Sequence, residues 1–280
     1  MLEDWCVNML NMIGGGGLGS NVTNLLTASP DSWNPTLYQL ALSVHSVVVK
    51  PLTSVILAIM FTLELSRNST RIESDRELGV KIVAGTLFKV ALVLLAAQNA
   101  DLFLRAFNSI SSWLVTGVSD QMSADTTATG NELGDQMRDQ ISDAGVMGQA
   151  ALLILLLIPF LLSQLASVIA TVVMYVRFIE IYALTAFQSL PFALLIHDDT
   201  KPIAIGYFKA YARTCINAVT LLICLAIYQA IVADAVGLSA AEGDMVGWVT
   251  GHFAQLLMAS VLLFFVIQLS QRVSRAVAGE

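Results

Sequence analysis

The sequence predicts an all-α fold: a polytopic helical membrane protein with about five transmembrane helices plus a re-entrant or interfacial helix. The first observation is that residues 144–176, 214–233 and 245–271 contain no Asp, Glu, Lys or Arg. A soluble domain made from 280 residues has no core able to hide three such runs. In lipid, about 20 apolar residues cross the hydrocarbon, because a helix rises ~1.5 Å per residue over ~30 Å. The second observation is bulk composition, 56% hydrophobic and 12% charged, with mean hydropathy +0.73. The net charge of −7 argues against a nucleic-acid-binding surface spread over the whole protein.

Four segments follow in order. Residues 1–43 form an N-terminal amphipathic, extracytoplasmic segment, and 44–107 hold the first two transmembrane helices around a basic cytoplasmic loop. Residues 108–143 form an acidic extracytoplasmic loop, and 144–280 a transmembrane bundle with a re-entrant segment at 178–196.

The first helix is predicted at residues 1–13. Glu3 and Asp4 stand where a secretory signal would carry basic residues, and Asn8 and Asn11 interrupt the apolar stretch. Trp5 suits a membrane–water boundary. Gly14, Gly15, Gly16, Gly17 and Gly19 then break the helix. The glycine run resembles a phosphate loop only superficially, since the Lys-Ser/Thr that would meet phosphates is missing, and a hinge is the expected role.

The first span is placed at 44–63, with Lys50 snorkelling near one end and Pro51 kinking the helix. The second covers 82–103 and contains Lys89. The third lies within 144–176, ~48 Å if straight, so it must tilt, bend at Pro159 or project from the membrane. The fourth and fifth lie in 214–233 and 247–269. Between them, 178–196 is apolar enough to cross but contains Glu180, Gln188 and a central Pro191.

Loop charge sets the orientation, because Lys and Arg concentrate on the cytoplasmic side. Arg67, Arg71, Arg76 and Lys81 make the first inter-span loop cytoplasmic. The segment 108–143, with Asp120, Asp125, Glu132, Asp135, Asp139 and Asp143 against Arg138, is then outside. If 178–196 does not cross, Lys201, Lys209, Arg213, Arg272 and Arg275 all face the cytoplasm. This favours five spans, with the N-terminus outside and the C-terminus cytoplasmic in a bacterial cell membrane. Within the outer loop, 119–131 is expected to be a flexible crossing and 132–141 a short polar helix. Together they are either a solvated connector or a docking surface for an extracytoplasmic partner.

Cys6, Cys215 and Cys224 have no metal-like spacing, and the latter two sit in one apolar run as small buried hydrophobes. His45, His197 and His252 are scattered, so neither a metal site nor a cofactor is expected. No GxSxG, Walker A or paired catalytic carboxylate appears, which leaves an enzyme reading without support.

Specific blocks of residues carry a family resemblance. They are Trp33-Asn34-Pro35 through Val47-Val48-Val49-Lys50-Pro51, then Ile56-Leu57-Ala58-Ile59-Met60 and Glu64-Leu65. Met174-Tyr175-Val176-Arg177-Phe178-Ile179-Glu180-Ile181-Tyr182 follows, with Leu190-Pro191-Phe192-Ala193. Tyr207-Phe208-Lys209 leads into Cys224-Leu225-Ala226-Ile227-Tyr228. From Trp33 to the end, the chain resembles TrbL/VirB6-like polytopic membrane subunits of conjugative type IV secretion systems, in the form found on Gram-positive mobile elements. The resemblance implies a homo-oligomeric channel or scaffold subunit working with other secretion-system subunits, including a cytoplasmic ATPase. It also implies passage of single-stranded DNA with its relaxase. The topology usually attributed to such proteins matches the charge-based one.

Ionisable groups at membrane depth are costly and mark functional candidates. Lys89 either snorkels or pairs with Glu64, or else lies on a polar pathway or subunit interface. Arg177 and Glu180 share a helix face and are expected to pair, with contact to the ATPase as the alternative. Asp101 and Arg105 form a local pair at i,i+4 spacing. Pro51, Pro159 and Pro191 are the expected helix breaks, and Gly117, Gly145, Gly148 and Gly206 the expected close contacts. The competing function is a small-solute transporter or permease-like subunit using Lys89, Glu64 and Glu180, although no internal repeat supports it. A third possibility is a purely structural membrane anchor.

Overall fold

The computed structural model describes residues 2–15, 20–72, 76–125, 133–236 and 245–279, and among them every regular element is helical. Among the described residues, five helices are long and apolar enough to cross a membrane: Pro35–Asn68, Gly79–Gln98, Gly145–Ala186, Lys201–Val232 and Met245–Ala278. The predicted all-α, five-span class is therefore the observed one. The chain divides into two compact units.

The first unit comprises Met1–Ala28, Ser112–Val176 and Asn217–Ala276. Helix α1 (Leu2–Gly14) buries Cys6, Met9, Leu10 and Ile13, whose three- and four-residue spacing makes one apolar stripe. That stripe meets protein, where the sequence suggested a membrane boundary, while Trp5 is well exposed. Helix α2 (Ser20–Thr27) follows, with Leu26 in the same core.

The acidic loop is also corrected. Helix α7 (Ala100–Asp125) is continuous where a loop was expected from residue 108. Short helices α8 (Leu133–Gln136) and α9 (Arg138–Asp143) bury Leu133, Met137 and Ile141 in the core that holds α1. Asn11 explains the docking. Its Oδ1 accepts from the backbone N–H of Gly134 (2.6 Å) and its Nδ2 donates to Asp135 (2.8 Å). Gly134 is required sterically, since a Cβ there would fall 2.1 Å from the Val7 carbonyl oxygen. Arg138 completes the join by pairing with Glu3 (3.4 Å), Asp4 (3.2 Å) and Asp135 (3.2 Å). Asparagines that looked like interruptions in an apolar stretch prove to include the residue that fastens the helix.

Gly145, at φ +63°, turns the chain from α9 into α10 (Gly145–Ala186). At 42 residues this helix is ~63 Å long if straight, and it runs uninterrupted through Pro159. In this unit α10 packs Leu152 and Leu156 with Leu221 and Tyr228 of α12 (Lys201–Val236) and with Leu256 and Leu263 of α13 (Met245–Ala278). Ser260 Oγ lies 3.0 Å from both Ser163 Oγ and the Pro159 carbonyl oxygen, a small polar knot inside an otherwise apolar core.

The second unit comprises Ser29–Ser111, Arg177–Ile216 and Val277–Glu280. Prolines open both of its first helices, α3 (Pro30–Trp33) and α4 (Pro35–Val44), where a missing N–H costs nothing. The Asn34 side chain caps α4 by accepting from the Leu37 N–H at 3.1 Å. Trp33 stacks on Phe178 (4.3 Å between centroids, 4° between planes). Tyr182 donates to the Pro30 carbonyl at 2.7 Å, so the chain ahead of the first span is pinned to the end of α10.

The first span is longer than expected. It joins α4, a single π turn at His45–Val49 and α5 (Lys50–Ile72). The Lys50 N–H bonds to the His45 carbonyl, five residues back. Pro51 has no N–H to offer and its ring crowds the carbonyl four residues earlier. A widened turn just before it accommodates both defects, so the predicted break is a local π turn within a continuous helix.

Helix α6 (Arg76–Gln98) ends before residue 103, and Phe103 belongs to α7. Residues 178–186 continue α10, so 178–196 is not one re-entrant helix. Only Leu190–Leu194, opened by Pro191, forms a separate short helix, α11. It is packed against α5 and α6, with Pro191, Phe192 and Ala193 buried. A Cβ at Gly117 or Gly206 would meet nothing within 4 Å, whereas one at Gly148 would press on Ala144 at 2.9 Å. Close contact was expected at these and at Gly145, where a Cβ would also meet nothing within 4 Å, and is found only at Gly148. Gly16, Gly17 and Gly19 and the stretch 126–131 of the predicted flexible crossing lie outside the described residues, as does Glu132 of the predicted polar helix.

Candidate functional site

The second unit gathers several ionisable groups around the turn between α11 and α12. That turn reads Ile196-His197-Asp198-Asp199-Thr200, a polar run between two apolar segments. Thr200 Oγ1 ties it internally, with the carbonyls of Leu194 (2.6 Å) and His197 (3.0 Å) in reach.

Glu64, on α5, stands at the centre with its side chain only 10% exposed. One oxygen lies 3.6 Å from Lys89 Nζ of α6, and the other 3.1 Å from His197 Nδ1. Lys89 also donates to the Ile196 carbonyl. Of the alternatives for Lys89, the contact with Glu64 is present, and the group clamps three elements. Asp199 Oδ2 sits 3.2 Å from the far ring nitrogen of His197. Asp198 bridges Arg67 of α5 (3.4 Å) and Lys201 of α12. The Lys201 ammonium beside it, through a hydrogen bond and its charge, holds the Asp198 carboxyl below its ordinary range. Below the cluster, Asn68 donates to Thr86 Oγ1 at 3.0 Å, joining α5 to α6.

The other predicted pair is not formed. Arg177 is buried and donates from Nε to the Thr214 carbonyl (3.1 Å), with its guanidinium 5.3 Å from the Phe178 ring centroid. Glu180 pairs instead with Arg213 of α12. The physical reason is that both side chains find α12 beside them, and a partner on a packed neighbour displaces the i,i+3 contact. Asp101 and Arg105 do pair, at 2.7 Å.

A second polar seam lies where α10 ends. Gln188 bonds His45 Nδ1 of the π turn (3.2 Å), and Ser189 Oγ lies 2.8 Å from Thr53 Oγ of α5. On α7, Asn108 donates to Tyr211 (3.0 Å) and Ser111 to the Cys215 carbonyl (2.6 Å). His197, Asp198, Asp199 and Arg213 were not singled out as site residues by sequence reasoning. The available signal was the His-Asp-Asp-Thr-Lys run directly after a Pro-broken apolar segment. Among the described residues no group of His, Cys, Asp or Glu is arranged to hold a metal ion, and Cys6, Cys215 and Cys224 are free thiols.

Among the described residues, five helices long and apolar enough to cross a membrane define a multi-pass membrane protein. Residues 19–189 match the model of the TrbL/VirB6 plasmid conjugal transfer like protein family, and the chain belongs to that family. It is thus a membrane subunit of a conjugal transfer, type IV secretion machine that includes other subunits. The match begins ahead of Trp33 and ends before the blocks at 190–193 and 207–228. No curated protein matches the chain.

Proposed function

We propose that the protein is a channel or scaffold subunit through which a conjugative type IV secretion system moves a relaxase–single-stranded DNA substrate. The family match over residues 19–189 carries this reading. The chain contributes no catalysis of its own, energy comes from a cytoplasmic ATPase, and several copies assemble around the path. The spans are poor in the cations that dominate affinity for phosphates, so the path is inert or is shared with other subunits.

The proposed orientation places the N-terminus outside and the C-terminus in the cytoplasm. Support comes from Asp198, which joins Arg67 after the first span to Lys201 before the fourth, so that two basic segments share one side. Lys209 reaching the Gly279 carbonyl at 2.8 Å brings the C-terminal residues to the same stretch of α12.

The test is the conjugation frequency of a donor carrying an in-frame deletion of this gene, with the wild-type copy restored in trans. Rescued loss of transfer supports the reading. Unchanged transfer removes it and makes uptake of a small solute past Lys89 and Glu64 the question to pursue.

A further inference from the structure

The polar seam where α10 ends holds two side chains whose hydrogen bonding is half complete. Gln188 is 1% exposed and His45 9%, and the amide meets ring Nδ1 at 3.2 Å. The far ring nitrogen, Nε2, and the second amide atom, Oε1, are buried with no protein partner. The hydroxyls beside them are engaged elsewhere: Thr53 donates to the Val49 carbonyl (2.8 Å), which leaves Ser189 to donate to Thr53. The π turn builds this face. Positions eight apart, as His45 and Thr53 are, stand about 80° round a regular α-helix from each other. The extra residue in the turn at His45–Val49 makes them equivalent to positions seven apart, so both meet the end of α10.

The chemistry of the missing partner follows whichever way the amide is turned. A neutral imidazole has one N–H and one lone pair, and an amide offers an NH2 and an oxygen. When the NH2 donates to Nδ1, the ring proton sits on Nε2, and the free atoms are an N–H donor and an oxygen acceptor. When the amide is turned over, Nδ1–H donates to its oxygen, and the free atoms are a ring lone pair and an NH2. Either way one free atom donates and the other accepts. An anion answers only the donor and a cation only the acceptor, whereas water answers both. We propose that a water molecule is held at this seam, bonded to the His45 ring and the Gln188 amide, inside the first membrane span. Asp101 of α7 offers an acceptor for a further hydrogen: one of its oxygens is on Arg105 (2.7 Å), and the other is buried without a protein partner. Tyr38 and His45, two turns apart on one face of the span, both lie within reach of the Asp101 charge. Water retained in this way completes the bonding of polar groups that lipid cannot satisfy.

The inference concerns the chain alone and does not depend on the cargo. Radiolytic hydroxyl-radical labelling of the full-length protein in lipid nanodiscs tests it, because radicals made from a held water oxidise the side chain beside it even where bulk solvent is excluded. Rapid mixing into heavy-oxygen water just before exposure marks by mass whatever oxidation comes from bulk water. We expect His45 to carry ordinary oxygen and His197, in a turn whose Asp199 is exposed, to carry the heavy isotope. Met174, fully buried in an apolar core, should stay unoxidised although thioethers oxidise readily. Gln188→Leu removes the amide and should abolish the label on His45. An unlabelled His45 in the wild type overturns the held water, as does heavy oxygen there, which would mean a seam open to bulk solvent. Undiminished labelling of His45 in Gln188→Leu overturns it as well. The wild-type comparison needs no variant, so it decides even if the leucine chain fails to fold.

Discussion

Arg177 shows how far one side chain departs from its sequence neighbours. A guanidinium at membrane depth would be expected to seek a carboxylate, and Glu180 lies one turn away. It is held instead by the Thr214 carbonyl and the face of Phe178. Removing a buried charge together with its desolvation cost is often neutral. Arg177→Met is thus expected to shift the thermal midpoint of the purified protein by no more than about 1 kcal/mol equivalent. A loss above ~3 kcal/mol would mean that the guanidinium contributes net stability. Glu64 is the opposite case, because it meets both Lys89 and His197. Lys89→Leu should preserve membrane insertion, as leucine suits the span better than lysine. Conjugal transfer at the wild-type level in that variant would remove Lys89 from any polar pathway. Asp198 adds a pH dependence outside the spans. Its carboxyl is depressed by Lys201, so its contribution is present above the ordinary carboxylate range and is lost as pH falls through the depressed value. Asp198→Asn should flatten that acid-side dependence of thermal stability and weaken the response to added salt.

At the scale of elements, α1 is the informative case. Its stripe of Cys6, Met9, Leu10 and Ile13 is as compatible with a lipid surface as with a protein core. The choice was made by α8 and α9, whose Leu133, Met137 and Ile141 share that core, and by Gly134, which lets the two backbones touch. Gly134→Val is expected to undock α1 at a cost of about 2–3 kcal/mol, the range of overpacking in a tight contact. Limited proteolysis within Leu2–Gly14 would report it, and unchanged resistance would show that the backbones can separate without loss. The π turn at His45–Val49 is a second element-scale outcome. Pro51 was legible as a defect, but a kink and a π turn both satisfy a missing N–H. Packing selected the one that brings His45 to Gln188.

The whole molecule takes its class from its apolar runs, and its internal arrangement from contacts that no run predicts. Residues 144–176 predicted a span, yet the helix continues to Ala186 because Phe178, Ile181 and Tyr182 find aromatic and apolar partners in Trp33, Leu104 and Tyr211. Likewise 108–125 looked polar enough for a loop, but Val115 is buried, and Asn108 and Ser111 have hydrogen-bond partners on α12. At this scale the expected outcome is loss of transfer on deletion of the gene and recovery on complementation, measured as conjugation frequency.

What the sequence determined by itself was the number of apolar helices, the two basic segments, the Asp101–Arg105 pair and the family. Each rests on a local property: hydrophobic length against bilayer thickness, charge count, spacing along a helix, or a run of residues. Only the tertiary structure decided where α1 lies, that α10 absorbs half of 178–196, that Arg177 and Glu180 turn to α12, and that His197 joins Glu64. Those outcomes depend on which neighbour is nearest in space. Residues 133 apart in the chain, as Glu64 and His197 are, leave no periodic signal of their meeting.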